Sequence, residues 1–451
     1  MVFATDKQTL EDLNIFGRQG GGSILAIFNR CVSRGGSALL EEMFQAPLRD
    51  GAAITNRCRI IEDFAAGEFH LPIKGGQFDV IEPYLATSDE RTRLSVGEGK
   101  MGNRIEKMLA PDIVENGIKR GVAELVMALR SIRTFITSQV IQAAQSYGAE
   151  RDAIQAILIG GELEVVFQDV NEDKFNDREL AAFDSLLRFR HREPMQKLMR
   201  LVYQLDVYLA VAQVARERNF IFPIISTSKQ LLLKLEGVCH PAVQGAIANS
   251  LDVGFDKNVL FLTGANMAGK STFMKTLGVA LYLAHMGFPV PATAMVFSVM
   301  DGLYTTINLS DNLSAGSSHF YAEVLRLKKI ANELGEGKKL VVIFDELFRG
   351  TNVSDAHEAT VEVVSAFATR RDSLFVVSTH IIEAGHLLEK NNRNIRFIYM
   401  PTKMKGHVPV YTYILEEGIT ADRHGMVIIR NEKILEMLKE GIKAKKGMSV
   451  L

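Results

Sequence analysis

One stretch of this 451-residue chain sets its architecture: Val259-Leu260-Phe261-Leu262-Thr263-Gly264-Ala265-Asn266-Met267-Ala268-Gly269-Lys270-Ser271-Thr272. Its first residues are apolar and predict a buried strand, and the residues from Ser271 onward predict a helix. Between them, the spacing of Gly264 and Gly269-Lys270-Ser271 fits the P-loop pattern, in which small residues let successive backbone N–H groups point at a nucleotide's phosphates. Such a pattern also occurs by chance in loops. The strand before it and the helix after it are the context that the motif requires, so the sequence predicts a nucleotide site.

The residues of this loop have separate expected roles. Lys270 would reach the β- and γ-phosphates as a point charge, and the Ser271 hydroxyl would ligate a magnesium ion. The helix that follows directs the positive end of its dipole at the same place. The phosphates are expected to contact the whole loop: Gly264, Ala265, Asn266, Met267, Ala268, Gly269, Lys270, Ser271 and Thr272.

The composition is that of an ordinary globular protein, with 47% hydrophobic and 23% charged residues. Its length predicts two or three domains. The net charge of −1 neither indicates nor excludes nucleic-acid binding, because a local basic surface matters more than the sum. Cys31, Cys58 and Cys239 are too scattered for a disulfide framework and suit a reducing compartment. With neither a signal-peptide pattern nor an apolar run long enough to span a bilayer, we expect a cytoplasmic protein without a membrane partner.

The first half, up to about residue 218, is predicted to be nearly all helix, and the domain boundary is placed near residue 222. Helices are expected over Arg151–Ile159 and over residues 177–218, the latter interrupted or kinked near Pro194, and a weak strand pattern covers Phe78–Ile81. Long helices joined by short turns are typical of arms or bundles. Between residues 113 and 146, apolar residues recur at the spacing of one helix face: Val122, Leu125, Val126, Leu129, Ile132, Ile136 and Val140.

Beyond Pro223 the pattern changes to strands that alternate with helices, which predicts a sheet with helices on its faces. Ligands of such folds bind at the carboxyl ends of the strands, where the P-loop lies. We therefore predict a multidomain α plus α/β fold, with a helical domain over residues 1–222 and a nucleotide-binding domain over residues 223–451. The predicted strands are Val259–Thr263, Leu340–Phe344, Leu374–Ser378, Ile395–Met400 and Val410–Leu415.

Two of these strands end in residues suited to nucleotide hydrolysis. Leu340–Phe344 leads to Asp345, which would lie near the metal ion, and to Glu346, which would orient the attacking water as a base. Solvated acids after a strand are the alternative, which the upstream P-loop disfavours. Leu374–Ser378 leads to His380, which is either an ordinary surface histidine or a contact to the γ-phosphate or the water.

A third segment, residues 310–320, is small and polar, contains glycine and opens a helix. Its hydroxyls and the helix N-terminus favour an anion, and a capped surface loop is the alternative.

Together these motifs resemble the ATPase domain of the MutS family, the DNA mismatch-repair proteins within the ABC-type ATPases. Asn266-Met267 is an insertion that is uncommon in other P-loops, and Asp345 to Thr351 is similar to the family's Walker B segment. His380 falls at its switch histidine. The resemblance implies ATP and Mg²⁺ as ligands, with Lys270, Glu346 and His380 as catalytic residues and with Ser271 and Asp345 as metal ligands.

The segment from Asp311 to Phe320 is similar to the family's signature loop, in which the residue matching Ser318 reaches the nucleotide of the opposite subunit. The resemblance therefore implies that Gly316 and Ser318 act in trans, in a homodimer with composite ATP sites. The helical half resembles the family's core domain at its two ends, Ser23–Asp50 and Leu205–Pro223.

DNA is the partner expected for the helical arms, where basic residues are densest in one cluster. A solvated helix face is the alternative interpretation of that cluster, which consists of Arg188, Arg190, Arg192, Lys197 and Arg200.

The chain also departs from the family. It begins at the core domain, so the mismatch-recognition and connector domains are expected to be absent, and the short span from Pro47 to Leu205 predicts a reduced or absent clamp. Ala246 stands where the family has an aromatic partner for adenine, and His319 replaces a threonine of the signature loop.

The expected function is that of a MutS-like ATPase that binds DNA and moves helical arms in mismatch repair or recombination. The alternative is a nucleotide-dependent regulatory module that acts on protein or ribonucleoprotein partners. An ABC transporter subunit is a weaker third possibility, because the signature loop and the helical core do not suit it.

Overall fold

The computed structural model describes residues 3–17, 22–95, 111–168, 175–307, 319–348, 351–405 and 408–420, together with Met437. The chain forms two compact units. The helical unit comprises Ile27–Gln45 and Asn56–Asn219. The second unit, called the nucleotide unit after the site predicted in it, comprises Met1–Ala26, Ala46–Thr55 and Phe220–Leu451. The mixed helical and α/β architecture is confirmed.

The division differs in one respect from the predicted boundary near residue 222. The chain does leave the helical unit at Asn219, but residues 1–26 and 46–55 belong to the nucleotide unit. Helical periodicity cannot reveal this, since it records which face of a helix is buried and not which partner buries it.

Most of the described residues of the helical unit lie in α-helices. Short 3-10 turns lie at Glu90–Thr92, Gln145–Tyr147 and Gly161–Phe167, and a π-helical turn lies at Ser185–Arg190. The helices are α1 (Lys7–Asp12), α2 (Ile24–Phe28), α3 (Arg34–Gln45), α4 (Gly51–Ala66), α5 (Gly75–Ala86), α6 (Pro111–Thr137), α7 (Gln139–Ala143), α8 (Gly148–Leu158), α9 (Asp177–Asp184), α10 (Arg192–Arg218), α11 (Lys270–His285), α12 (His319–Gly335), α13 (Val353–Ala368) and α14 (Ile382–Asn391).

The strands of the described chain all lie in the nucleotide unit. They are β1 (Ile224–Ile225), β2 (Leu232–Val238), β3 (Asn249–Gly254), β4 (Val259–Gly264), β5 (Ala294–Phe297), β6 (Gly302–Thr306), β7 (Leu340–Phe344), β8 (Leu374–Ser378), β9 (Ile395–Met400), β10 (Thr402–Lys405), β11 (Val408–Tyr411) and β12 (Glu416–Glu417).

Helix α6 buries the predicted apolar stripe from Val122 to Ile136, but it ends earlier than expected. Ser138 leaves the helical conformation and caps α7 by accepting a hydrogen bond from the Ile141 N–H. The turn carries Val140 out of the stripe, and its side chain is 57% exposed.

The strand expected at Phe78–Ile81 is wrong, because these residues lie within α5. Phe78 and Ile81 continue into Tyr84 and Leu85, and all four are buried. The spacing of these four buried residues places them on one helix face. The segment Phe78–Ile81 taken alone resembles the alternation of a strand.

The π-helical turn places a charged pair in the core of the helical unit. The guanidinium of Arg188 lies 2.7 and 2.8 Å from the carboxylate oxygens of Asp184 and also donates to the hydroxyl and carbonyl oxygens of Thr92. Asp184 accepts a further bond of 2.9 Å from the Tyr84 hydroxyl. Arg188 is 1% exposed, so its inclusion in a DNA-binding cluster is wrong.

Helix α10 begins after a break at His191, and Pro194 sits in its first turn, where a missing N–H is tolerated. Although no spanning run was expected, α10 is long and apolar enough to cross a membrane by length and composition. Two-thirds of its most apolar window (67%) is buried within the protein, as in the core helix of a globular protein.

The main sheet of the nucleotide unit has six strands in the order β12-β9-β4-β8-β7-β6. All neighbours are parallel except β12, which runs antiparallel to β9. The P-loop strand β4 lies between β9 and β8, and all its residues are buried. The carboxyl ends of β4, β7 and β8 therefore meet at one edge of the sheet, as predicted.

Two smaller sheets complete this unit. One has the order β1-β5-β2-β3, and the other is the hairpin of β10 and β11. The predicted strand over Val410–Leu415 is shorter than expected because β11 ends at Tyr411, and Tyr413 adopts a left-handed conformation with φ of +57°.

The N-terminal segment, residues 3–15, lines the outer edge of the main sheet. Ala4 forms a parallel bridge to Gly302 of the edge strand β6, and a Cβ atom at residue 302 would lie 2.7 Å from the Ala4 carbonyl oxygen. The carboxylate of Asp12 accepts hydrogen bonds from the Thr305 hydroxyl and the Ile307 N–H. This segment thus pairs an edge that would otherwise be open.

Candidate nucleotide site

The P-loop turns by way of three residues with positive φ: Gly264 at +146°, Met267 at +68° and Gly269 at +103°. A side chain at residue 264 would meet the Met400 carbonyl oxygen at 3.1 Å, which only glycine avoids. Met267 is 80% exposed at the tip of the loop. The loop then enters α11, with Gly269 as the N-cap residue.

Lys270 directs its charge into this loop. Its Nζ atom donates to the carbonyl oxygens of Gly264 at 2.8 Å and Ala265 at 3.1 Å. Burial lowers the pKa of the ammonium, and the carboxylates of Asp345 and Glu346 oppose that shift. The hydrogen bonds of this buried cation to described residues go to neutral oxygens, which suits it to an anion such as a phosphate.

Asp345 lies beside Ser271 at the start of α11. The Ser271 hydroxyl donates directly to Oδ2 of Asp345, and the Ser378 hydroxyl donates to Oδ1 of the same carboxylate. A carboxylate and a hydroxyl are hard oxygen ligands of the kind that Mg²⁺ uses together with substrate phosphates and water. The described residues contain no group of three or more His, Cys, Asp or Glu side chains able to hold a metal. The donor set therefore fits magnesium bound with a nucleotide better than a metal held by protein alone.

Glu346 and His380 form the second part of the site. The Nε2 atom of His380 lies 2.5 Å from Oε1 of Glu346. Glu346 has a φ of +56°, which turns its side chain out of the line of β7. The side chains of Glu346 and His380 are 22% and 42% exposed, so both can be reached by water.

A cavity of about 340 Å³ opens beside the start of α11. Ala246 and Ile247 form part of one wall, and Tyr413 forms another. Asn249 fixes the turn at Tyr413, because its side chain donates to the Tyr413 carbonyl and accepts from the Leu415 N–H. The position of this cavity next to Gly269 and Thr272 suits the nucleoside of a bound nucleotide.

No role for Ser378 or Tyr413 was predicted from the sequence. A hydroxyl at the last position of a strand next to the Asp345 strand is a signal that could have indicated Ser378. No local signal identifies Tyr413, since it approaches Ala246 only through the tertiary fold. Gly316 and Ser318 lie outside the described residues.

Comparisons with known proteins agree with this geometry. The model of MutS domain III matches residues 8–212, and the model of MutS domain V matches residues 260–445. The chain belongs to the MutS family. The family resemblance predicted from the motifs is thus confirmed.

Similar MutS proteins include three named DNA mismatch repair protein MutS. That of Anaplasma phagocytophilum is 33% identical over 229 residues, covering 50% of this chain and 27% of the relative. Those of Bacillus cytotoxicus and Bacillus cereus strain B4264 are each 27% identical over 251 residues, or 54% of this chain, and the match covers 27% and 28% of their lengths. The matched part of this MutS-family chain thus spans about a quarter of each relative.

Proposed function

We propose that this MutS-family protein binds and hydrolyses ATP with Mg²⁺, and that it acts on DNA in mismatch repair or recombination. The observation that carries the ATPase proposal is the bridge from P-loop Ser271 to Asp345, with Glu346 and His380 directly beside it. These groups come from three different elements and meet at one edge of the main sheet.

Each side chain has a distinct task in this proposal. Lys270 leaves the Gly264 and Ala265 carbonyls to bind the β- and γ-phosphates, while the P-loop N–H groups hold the remaining phosphate oxygens. Ser271 and Asp345 hold Mg²⁺, which when bound would neutralise charge on the phosphates. Glu346 orients the attacking water and accepts its proton, and His380 holds the Glu346 carboxylate in place.

The ATPase proposal is tested with the full chain and Mg²⁺. Lys270→Ala should abolish turnover, and Glu346→Gln should lower kcat by about a hundredfold or more while nucleotide still binds. Lys390→Ala, an exposed lysine on α14, is the control and should leave both unchanged. Unchanged turnover in Lys270→Ala would overturn the site assignment.

The family resemblance carries the proposal of a homodimer, in which Gly316 and Ser318 complete the ATP site of the opposite subunit. ATP that binds the closed dimer more tightly than the open one would shift the helical arms, by no more than that difference in affinity. Ser318→Ala should impair hydrolysis but spare binding. Mixing it with Lys270→Ala should restore part of the activity, and a mixture without activity would contradict action in trans.

DNA is proposed as the partner because the named relatives are DNA mismatch repair proteins. Within the predicted basic cluster, Arg188 is buried, Arg190 pairs with Glu162, and Arg200 lies 3.4 Å from Glu42. Arg192 and Lys197 have no ion-pair partner among the described residues and are the better candidates for phosphate contacts. The free thiols Cys31, Cys58 and Cys239 support the cytoplasmic location proposed with this function.

Binding of duplex, mismatched and branched DNA, measured across a salt series, tests this partner. We expect affinity to fall steeply with salt, and the double variant Arg192→Ala/Lys197→Ala to reduce the slope. The absence of salt-sensitive binding to all three DNAs would instead favour the regulatory module acting on protein or ribonucleoprotein partners. Arg190 and Arg200 already pair with Glu162 and Glu42, which leaves fewer cations of the cluster for DNA phosphates. This observation is the one that favours the second function.

A further inference from the structure

Ser378 contacts three consecutive residues at the end of β7. Its hydroxyl donates to Oδ1 of Asp345 and accepts the Glu346 N–H at 3.1 Å, and its carbonyl oxygen accepts the Leu347 N–H at 3.3 Å. Ser378 is fully buried at the last position of β8. The regular ladder between β7 and β8 ends one residue earlier, at Phe344 and Val377. The serine therefore extends the strand pairing by side-chain bonds into the segment that carries the catalytic groups.

The direction of these bonds is fixed by chemistry. A hydroxyl has one proton, and because the Glu346 N–H already occupies the oxygen as a donor, the Ser378 proton goes to the Asp345 carboxylate. Oδ2 of Asp345 is then left facing Ser271 of the P-loop. The same hydroxyl also anchors the backbone of Glu346 in its left-handed conformation.

We propose that Ser378 is a positioning residue that sets Asp345 for the magnesium ion and Glu346 for the attacking water. This inference rests on the proposed ATPase function. Without the hydroxyl, a partly buried carboxylate oxygen and a partly buried N–H each lose a hydrogen bond, so the Asp345 side chain turns away from Ser271. Loss of such an outer partner of a metal ligand typically weakens metal binding by about ten- to a hundredfold.

Ser373 provides a matched control at the opposite end of the same strand. It is also fully buried, and its hydroxyl accepts the Leu340 N–H of β7 at 3.1 Å. Ser373→Ala thus removes a similar bond between the same two strands, away from the P-loop. Any general loss of sheet stability should appear in both alanine variants.

The experiment measures binding of a fluorescent ATP analogue to the full chain, in EDTA and across a Mg²⁺ titration. For Ser378→Ala we expect the half-saturating Mg²⁺ concentration to rise about tenfold or more, with affinity in EDTA within about twofold of the unmodified chain. Turnover at saturating Mg²⁺ should show a lower kcat with little change in KM. For Ser378→Thr, which keeps the hydroxyl, the half-saturating Mg²⁺ concentration should return to that of the unmodified chain. For Ser373→Ala this concentration should not change.

The outcomes separate the two proposals. If the unmodified chain binds the analogue with Mg²⁺ but Ser378→Ala requires no more Mg²⁺ than Ser373→Ala, the role of Ser378 is overturned and the ATPase proposal stands. If the unmodified chain shows no Mg²⁺-dependent binding, both are overturned. Should Ser378→Ala not fold, Ser378→Cys keeps the volume with a weaker hydrogen-bonding group, and an unshifted Mg²⁺ requirement in that variant contradicts the proposal equally.

Discussion

The Nε2 atom of His380 lies 2.5 Å from Oε1 of Glu346, so the residues that follow two neighbouring strands are joined by a side-chain hydrogen bond. Both side chains remain partly exposed on the P-loop edge of the sheet. The histidine thus has a direct carboxylate partner beside the P-loop end of the sheet. The bond gives Glu346 a defined orientation before nucleotide arrives.

Removing this bond should slow hydrolysis more than it weakens binding. For His380→Ala we expect kcat to fall by about tenfold or more, since the base stays but loses its orientation. Nucleotide affinity should change by less than about twofold. Single-turnover hydrolysis and equilibrium binding measure the two effects. His386→Ala, an exposed histidine on α14, is the control, and equal rates in the two variants would contradict the assigned role.

The cavity beside α11 predicts a second, separable effect on nucleoside recognition. Tyr413→Ala should weaken ATP binding by about tenfold, because aromatic stacking on a base contributes roughly 1–3 kcal/mol. Binding of inorganic triphosphate should not change. Met404→Ala serves as the control, since Met404 is exposed on β10 and does not line the cavity. Equal loss of affinity for ATP and triphosphate would show that Tyr413 acts on the loop and not on the base.

The opposite change tests Ala246, which lines the same cavity on another wall. Ala246→Phe introduces the aromatic side chain that the family pattern predicts there, and it should raise ATP affinity several-fold over that for triphosphate. Titration calorimetry with both ligands measures the ratio. A lower affinity for ATP alone would mean that the cavity is too narrow for a second ring.

The buried pair of Arg188 and Asp184 predicts a large effect on stability. Arg188→Met leaves the Asp184 carboxylate buried without its cation, which should lower the free energy of unfolding by about 3–5 kcal/mol. Arg190→Met breaks only an exposed pair with Glu162 and should cost about 1 kcal/mol or less. Urea unfolding, followed by a signal from the helical unit, measures the free energy of unfolding of both variants. Similar losses in the two variants would contradict the assignment of Arg188 to the core.

His285 predicts how stability depends on pH. Its ring is fully buried against Phe3, with Nδ1 bonded to the Leu48 carbonyl and Nε2 accepting the Met300 N–H. Burial lowers the pKa of the imidazole to about 4, whereas that of the unfolded chain is near 6.5. The folded state therefore binds the proton less readily, and the stability due to the neutral ring is complete above pH 6.5 and is lost as pH falls towards 4.

Unfolding free energies at several pH values between 4 and 7.5 test this direction. His285→Gln keeps a neutral donor and acceptor and should flatten the dependence in this window, even if it lowers stability at pH 7. His386→Gln should keep the original slope. A His285→Gln chain with an unchanged slope would contradict the prediction.

Local motifs predicted much of the arrangement at the candidate nucleotide site. Strand β4, the loop to Thr272 and the acidic end of β7 each carry their signal within a few residues, because the chemistry requires fixed spacing. The parallel order of the strands then brings these ends together without further information.

What the sequence could not supply depends on tertiary contacts. The fate of Arg188 follows from a π-helical turn that points it at Asp184, and a list of basic residues does not distinguish buried from exposed ones. The wall at Tyr413 depends on an unusual backbone conformation held by Asn249, a residue 164 positions away. The membership of residues 1–26 in the nucleotide unit requires the edge of a sheet made much later in the chain.

The pairing of residues 3–15 with β6 sets the order in which the nucleotide unit can assemble during synthesis. Thr9 is made 296 residues before Thr305, whose N–H it binds. At roughly 5–20 residues per second, about 15–60 s pass between the synthesis of Thr9 and that of Thr305. The helical unit, which ends at Asn219, is complete before β6 has left the ribosome. A nascent chain arrested before Gly302 therefore contains the whole sequence of the helical unit but lacks the edge strand that residues 3–15 pair with, so the main sheet is completed last.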